Sequence, residues 1–178
     1  MDEVAVAAEY SKKTIYAYFS SKEQIYDAII CRAYQILNTL IAEAFQKSQP
    51  LNGHDKVILM GKKYLEFIET HPKYFEAMVY YDNRDEDLAS DDPYKKANYD
   101  VGNKSADLLI QCILEGVHDG SISKNLDPVS AAFALYGNIN GIGNIILRKE
   151  KYIFHTYHKT IAQLIAQAIE LIEKSLKP

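Results

Sequence analysis

The residues best suited to do chemistry lie between Ser11 and Lys22: Ser11-Lys12-Lys13-Thr14-Ile15-Tyr16-Ala17-Tyr18-Phe19, then Ser20-Ser21 and Lys22. Their types suit recognition of a polyanion rather than bond making. Three lysines and no acid fall between Tyr10 and Lys22, so the local field favours phosphate although the whole chain carries a net charge of -4. Ser11 suits a helix N-cap, and Ile15 and Phe19 then share one inward face at i, i+4 spacing. Lys12, Lys13, Tyr16 and Ala17 point the other way. They offer cations, a hydroxyl and a side chain small enough to approach a base edge, which is what a helix docked in the major groove requires. A second helix begins at Ser21, and Lys22 in its first turn becomes useful where that helix start meets a DNA phosphate.

This stretch resembles the signature of the tetracycline-repressor (TetR) family, roughly Ala-Gly-Val-Ser-Lys-Gly-Thr-Leu-Tyr-x-Tyr-Phe-x-x-Lys-Glu-x-Leu. Ala8, Ser11, Lys12, Thr14, Tyr16, Tyr18, Phe19, Lys22, Glu23 and Ile25 match it. Beyond it the chain shares only length, helical plan and punctuation with the family. The resemblance implies contacts to the DNA backbone for Ser11, Lys12, Thr14, Tyr16, Tyr18 and Lys22, with Lys13, Tyr16 and Ala17 nearest the bases. Two departures stand out. Glu9 occupies the turn position where the family has glycine, at a cost of about 1 kcal/mol for a left-handed turn. Tyr10 replaces a small buried aliphatic, so its ring is expected to find space between the helices. The family also places a whole helix before this point, and an upstream segment ahead of Met1 is expected to cover Ile15 and Phe19.

The elements that position this stretch follow from periodicity. Residues 2 to 8 read as a short helix, the first half of a helix-turn-helix. From Lys22 to about Lys47, Ile25, Ile29, Ala33, Ile36, Leu37, Leu40, Ile41 and Ala44 recur at helical spacing. A helix of about twenty-five residues spans about 37 Å, enough to join the DNA-binding region to a second unit. Gln49-Pro50-Leu51-Asn52-Gly53 stops it. The spacing predicts further helices from Asp55 to about Thr70, from Pro72 through Val79, from Pro93 to Asp119, from Pro128 to about Lys149 and from about Phe154 to Leu176. Asp82 to Asp92 is acid-rich and aperiodic and reads as a mobile loop. The expected fold is all-α with about eight helices, divided into a DNA-binding region with its connecting helix over 1–46 and a helical effector-binding and dimerisation domain over 47–178.

The last two helices are apolar on more than one side, through Phe133, Gly137, Gly141 and Ile142 in one and Ile161, Leu164, Ile165, Ala168 and Ile172 in the other. A second apolar stripe needs a second partner, and Gly137 with Gly141 lets a helix come close. A two-fold four-helix bundle, two helices per subunit, satisfies both, and the resemblance likewise implies a homodimer through these helices. Fourteen tyrosines and no tryptophan is an unusual aromatic balance. Tyr64, Phe67, Phe75, Met78, Tyr80, Tyr81, Tyr94 and Tyr99 gather in the middle helices, where an apolar pocket with a few hydroxyls would suit a small-molecule effector with one polar end, held by Tyr64, Phe67, Phe75, Met78, Tyr81 and Tyr94.

Other chemistries are poorly supported. Glu115 and His118 form one Glu-x-x-His where a di-iron site needs two, and His155 with His158 lacks further metal ligands. No Gly-x-Ser-x-Gly, Walker-type loop or dinucleotide fingerprint occurs, so neither enzyme nor bound cofactor is expected. No apolar run is long enough for a membrane span and no signal-peptide layout is present, which suggests a cytoplasmic protein with Cys31 and Cys112 as buried reduced thiols. The functional expectation is a homodimeric transcriptional regulator that binds a double-stranded DNA operator, a repressor relieved by a small-molecule effector. The alternative is a helical homodimeric module that binds a small molecule or protein and does not engage DNA in this form.

Overall fold

A computed structural model describes residues 1–48, 50–83 and 91–178. Among these residues the chain is all-α: α1 (Asp2–Ala7), α2 (Lys12–Tyr18), α3 (Lys22–Lys47), α4 (Gly53–Thr70), α5 (Pro72–Asp82), α6 (Pro93–Asp119), α7 (Pro128–Tyr157) and α8 (Ile161–Leu176). Most starts carry a side-chain cap of the expected kind. Ser11, Ser21, Asn52, Asp92, Asp127 and Thr160 each accept from an amide of the turn that follows. Pro72, Pro93 and Pro128 each open a helix, and Gly120 closes α6 at φ 80°. Most of the loop expected over 82–92 lies outside the described residues.

Three helix boundaries differ from the periodicity. Gly53 belongs to α4 and does not act as a stop, because Asn52 caps the helix by accepting from Asp55 N–H at 2.8 Å. A Cβ on Gly53 would lie 2.0 Å from the backbone nitrogen of Gly116, so this glycine is where α4 crosses α6 at backbone distance. The helix α7 runs on past Lys149 to Tyr157, and α8 starts at Ile161 instead of Phe154. The break is made by His158 in the left-handed region (φ 52°) and by a capping box in which Thr160 and Gln163 satisfy each other's backbone amides.

The core is built from α3, α4 and α6, with α5, α7 and α8 closing around them. Ile30, Ala33, Leu37 and Ile41 form the buried stripe of α3, facing Val57, Leu65, Phe67 and Ile68 of α4 and Cys112 and Ile113 of α6. Burial lifts the Cys112 thiol to about 11, so it stays protonated, while Cys31 is only half-buried. Ser123 N–H donates to Leu176 C=O at 2.9 Å, pinning the end of α8 beside Ile122 in the α6–α7 connection. No helix among the described residues is long and apolar enough to cross a membrane.

Candidate DNA-binding face and effector cavity

The N-terminal unit turns between α1 and α2 through Glu9, which sits at φ 58°. The turn is closed by Glu9 N–H to Val6 C=O (3.1 Å) and Tyr10 N–H to Ala5 C=O (3.0 Å). Glutamate therefore occupies a left-handed conformation that glycine would adopt without strain. Tyr10 does not insert between the helices: its ring is 63% exposed, since the turn directs it outward. Ser11 Oγ accepts from Thr14 N–H at 3.0 Å and contacts Thr14 Oγ1 at 2.7 Å, which fixes the first turn of α2. Ile15 is buried, Thr14 is half-buried, and Ser11, Lys12, Lys13, Tyr16, Ala17, Tyr18 and Lys22 are exposed. Lys12 Nζ lies 2.7 Å from Asp2, and this pair holds the Asp2 carboxyl below its ordinary range and lifts the Lys12 ammonium. Lys13 and Lys22 are in none of the ion pairs among the described residues, and both stand clear on the outer side.

Among the described residues the unit is tied to the body at a joint with the start of α6. Phe19, half-buried, places its ring 5.6 Å from that of Tyr94 in the first turn of α6, and the Tyr94 hydroxyl donates to Tyr18 C=O at 3.3 Å. Beside it, Gln24 Nε2 donates to Asp92 at 2.9 Å, and Asp92 also caps α6. The Gln24 contact, reinforced by the Tyr94 and Lys95 amides, holds the Asp92 carboxyl below the usual carboxylate range. A depressed folded value means that this stabilisation is present above the unfolded carboxylate value, about 3.9, and is lost as pH falls through the folded one. Asp92→Asn keeps the cap acceptor but not the charge. Thermal melts of the variant from about pH 6 to pH 2.5 are expected to fall less steeply with acid than those of the parent protein.

A cavity of about 630 Å³ lies inside the body, walled by α3, α4, α6, α7 and α8, with residues 81 and 82 of α5 at its edge. Of the residues expected at an effector pocket, Tyr64 and Tyr81 line it. Phe67, Phe75 and Met78 do not. They are fully buried against other core side chains, the Phe75 ring lying where a Cβ on Gly143 of α7 would come within 2.5 Å of it. Tyr94 is also elsewhere, in the joint with Phe19. Tyr99 of α6, another of the gathered aromatics, also lines the cavity, and the walls that sequence reading missed are chiefly Tyr34 of α3, Asn98 and Ser105 of α6, and Tyr136 of α7. Most of these polar groups are satisfied within the protein. Tyr64 donates to Asn140 at 2.9 Å, Tyr136 to Asp82 at 2.5 Å, and Ser105 to Asn38. Burial raises the Tyr34, Tyr64 and Tyr136 hydroxyls well above their ordinary value, so all three remain neutral donors.

The expected dimer residues divide into two sets. On α7, Phe133 is 63% exposed, and a Cβ on Gly137 or Gly141 would meet nothing within 4 Å. Val129 and Ile145, both exposed, extend the same row at spacings of four. On α8, Ile161, Ile165 and Ile172 pack partly on the core, whereas Leu164 and Ala168 lie outside it next to the exposed Leu171. Phe133 and Ile172 also line the cavity. Glu115 is engaged with Lys56 Nζ at 2.5 Å and so already has a cationic partner.

Comparison with known proteins agrees with this arrangement. A family profile described as bacterial regulatory proteins, tetR family, matches residues 1–29. None of the curated proteins matches the sequence. Among solved structures, a bacterial regulatory protein in the tetR family from Rhodococcus RHA1 superposes with a TM-score of 0.73 at 17% identity, covering 99% of this chain and 85% of that one. The ketosteroid transcriptional regulator KstR2 of Mycobacterium tuberculosis gives 0.69 at 16% identity, covering 98% and 83%. AibR, solved in complex with isovaleryl coenzyme A and operator DNA, gives 0.69 at 15% identity, covering 96% and 84%. The chain is therefore TetR-like, with a tetR-family segment at residues 1–29 and, along its length, the fold of that family's regulators.

Proposed function

We propose that this chain is a homodimeric DNA-binding regulator whose hold on a double-stranded operator is relieved when a small molecule enters the cavity. The observation that carries the reading is the joint at Tyr94 and Asp92. The helix that supplies Asn98, Tyr99, Ser105 and Leu109 to the cavity is the same helix whose first turn grips Phe19, Tyr18 and Gln24. A shift of α6 on ligand entry is thus passed to the end of α2 and the start of α3. Two recognition helices in a dimer must dock about 34–36 Å apart on one face of B-DNA, so a shift of a few ångströms spoils simultaneous docking. The coupling is reciprocal: operator weakens effector by the factor by which effector weakens operator. KstR2, described as a ketosteroid transcriptional regulator, and AibR with its coenzyme A thioester and operator support a reading in which DNA and a small molecule are both bound.

Lys22 contacts a phosphate in this reading, and Lys13 with Ala17 faces the bases. Affinity is measured by fluorescence polarisation on duplexes selected from a random library, across a range of salt concentrations. Lys22→Ala is expected to weaken all duplexes alike and to flatten the dependence of log affinity on log salt by about 1 per subunit. Lys13→Ala should instead change which duplex is preferred. An unaltered salt slope in Lys22→Ala removes its backbone role, and the absence of affinity for any selected duplex favours a helical binding module that does not engage DNA.

A further inference from the structure

Asn98 is the anomaly of the cavity wall. It is 2% exposed, lines the cavity from α6, and neither Oδ1 nor Nδ2 has a hydrogen-bond partner. The neighbouring Tyr64, Tyr136 and Ser105 hydroxyls already donate to protein acceptors. A buried carboxamide with both polar atoms unpaired is costly, and the cost is recovered when a guest, reached by a turn of the side chain, presents an acceptor and a donor together. The rest of the lining is mostly aliphatic and aromatic. Among the described residues no lysine, arginine or histidine lines the cavity, and its one ionisable acid is Asp82 at the exposed edge. An anionic head placed here would give up its hydration, meet no cation among the described residues and sit near a carboxylate.

We infer that the cavity takes an uncharged, mainly apolar molecule whose single polar head both donates and accepts, of carboxamide or lactam type, and that Asn98 pairs with that head. The inference rests on the effector reading above and names its ligand class. The volume of the cavity suits it: about 630 Å³ is within the range of small-molecule sites, with hydrophobic walls supplying affinity and one amide supplying orientation.

The test uses diphenylhexatriene, a hydrocarbon fluorophore without hydrogen-bonding groups, as reporter, with decanamide and decanoate as competitors of matched shape. At about pH 8, where decanoate is ionised, decanamide is expected to displace the reporter at concentrations at least about tenfold lower than decanoate. Asn98→Leu keeps the branched outline of the side chain, slightly enlarged, and removes both polar atoms. It should bind the reporter within about threefold of the parent protein, yet lose about tenfold in affinity for decanamide. Equal displacement by decanoate overturns the neutral-ligand class, and unchanged decanamide affinity in Asn98→Leu overturns the anchor. Failure of the parent protein to bind either the reporter or decanamide overturns the inference as a whole. Polarisation on the selected duplexes is run on the same samples. Protein that holds DNA but neither probe sinks the ligand inference alone, whereas protein that discriminates the probes as stated but holds no duplex sinks the regulator reading alone.

Discussion

Gly53→Ala is expected to destabilise the protein by about 3 kcal/mol or more, measured by chemical denaturation. The added methyl would sit 2.0 Å from Gly116 N, 2.3 Å from Gly116 Cα and 2.5 Å from Cys112 C=O, all of them main chain of α6. A flexible side chain can swing aside, but these atoms move only if α4 and α6 part. Separation would also disturb two hydrogen bonds made at the same crossing, from Gly53 N–H to Asp119 (2.8 Å) and from His54 N–H to Ser121 (3.1 Å). The contrast is Gly61→Ala on the same helix, where an added Cβ meets nothing within 4 Å. That variant should be neutral or slightly stabilising, since alanine is the better helix former by about 1 kcal/mol. Comparable losses in the two variants would mean that the α4–α6 crossing is looser than its geometry indicates.

In the dimer proposed above, Gly141→Arg should leave the subunit folded and separate it from its partner. Open space surrounds the position on a single chain, so the melting temperature of the monomer is expected to change little. If two α7 rows meet along Val129, Phe133, Gly137, Gly141 and Ile145, a guanidinium in the middle of the seam blocks close approach and buries a charge without a counterion. Sedimentation should then report a monomer. Affinity for a two-half-site duplex should fall by ~10²–10⁴, because the second half-site is no longer bound intramolecularly. A variant that remains dimeric with full DNA affinity places the subunit contact elsewhere.

Much of this architecture was legible because it is local. Caps at Ser11, Ser21, Asp92 and Asp127 and prolines at the starts of α5, α6 and α7 are read residue by residue, and each helix followed. The α7–α8 break was harder, since no proline or glycine falls between Gly143 and Pro178. Thr160-x-x-Gln163 was the available signal, a capping box among residues that otherwise favour helix. Gly53 was misread for a different reason: its cause is a helix sixty residues away in sequence, and no local pattern carries that contact. The same holds for the cavity. Composition drew attention to aromatics, but whether a ring is packed, like Phe67 and Phe75, or lines open space, like Tyr64 and Tyr136, depends on which neighbours arrive from α3, α6 and α7. Asn98 is an ordinary polar residue on an amphipathic helix until those neighbours enclose it.

The tethering of α8 at both ends bears on assembly. Its start is locked by the Thr160–Gln163 box and its last carbonyl is fastened to Ser123 N–H. A rod held in this way has little freedom left to surrender when another surface covers it, so the entropic cost of association falls mainly on side chains and not on the backbone. Subunits joined along such a rod should meet at one fixed angle, and adjustment between two bound half-sites would then have to come from the slender α1–α2 ends of the assembly.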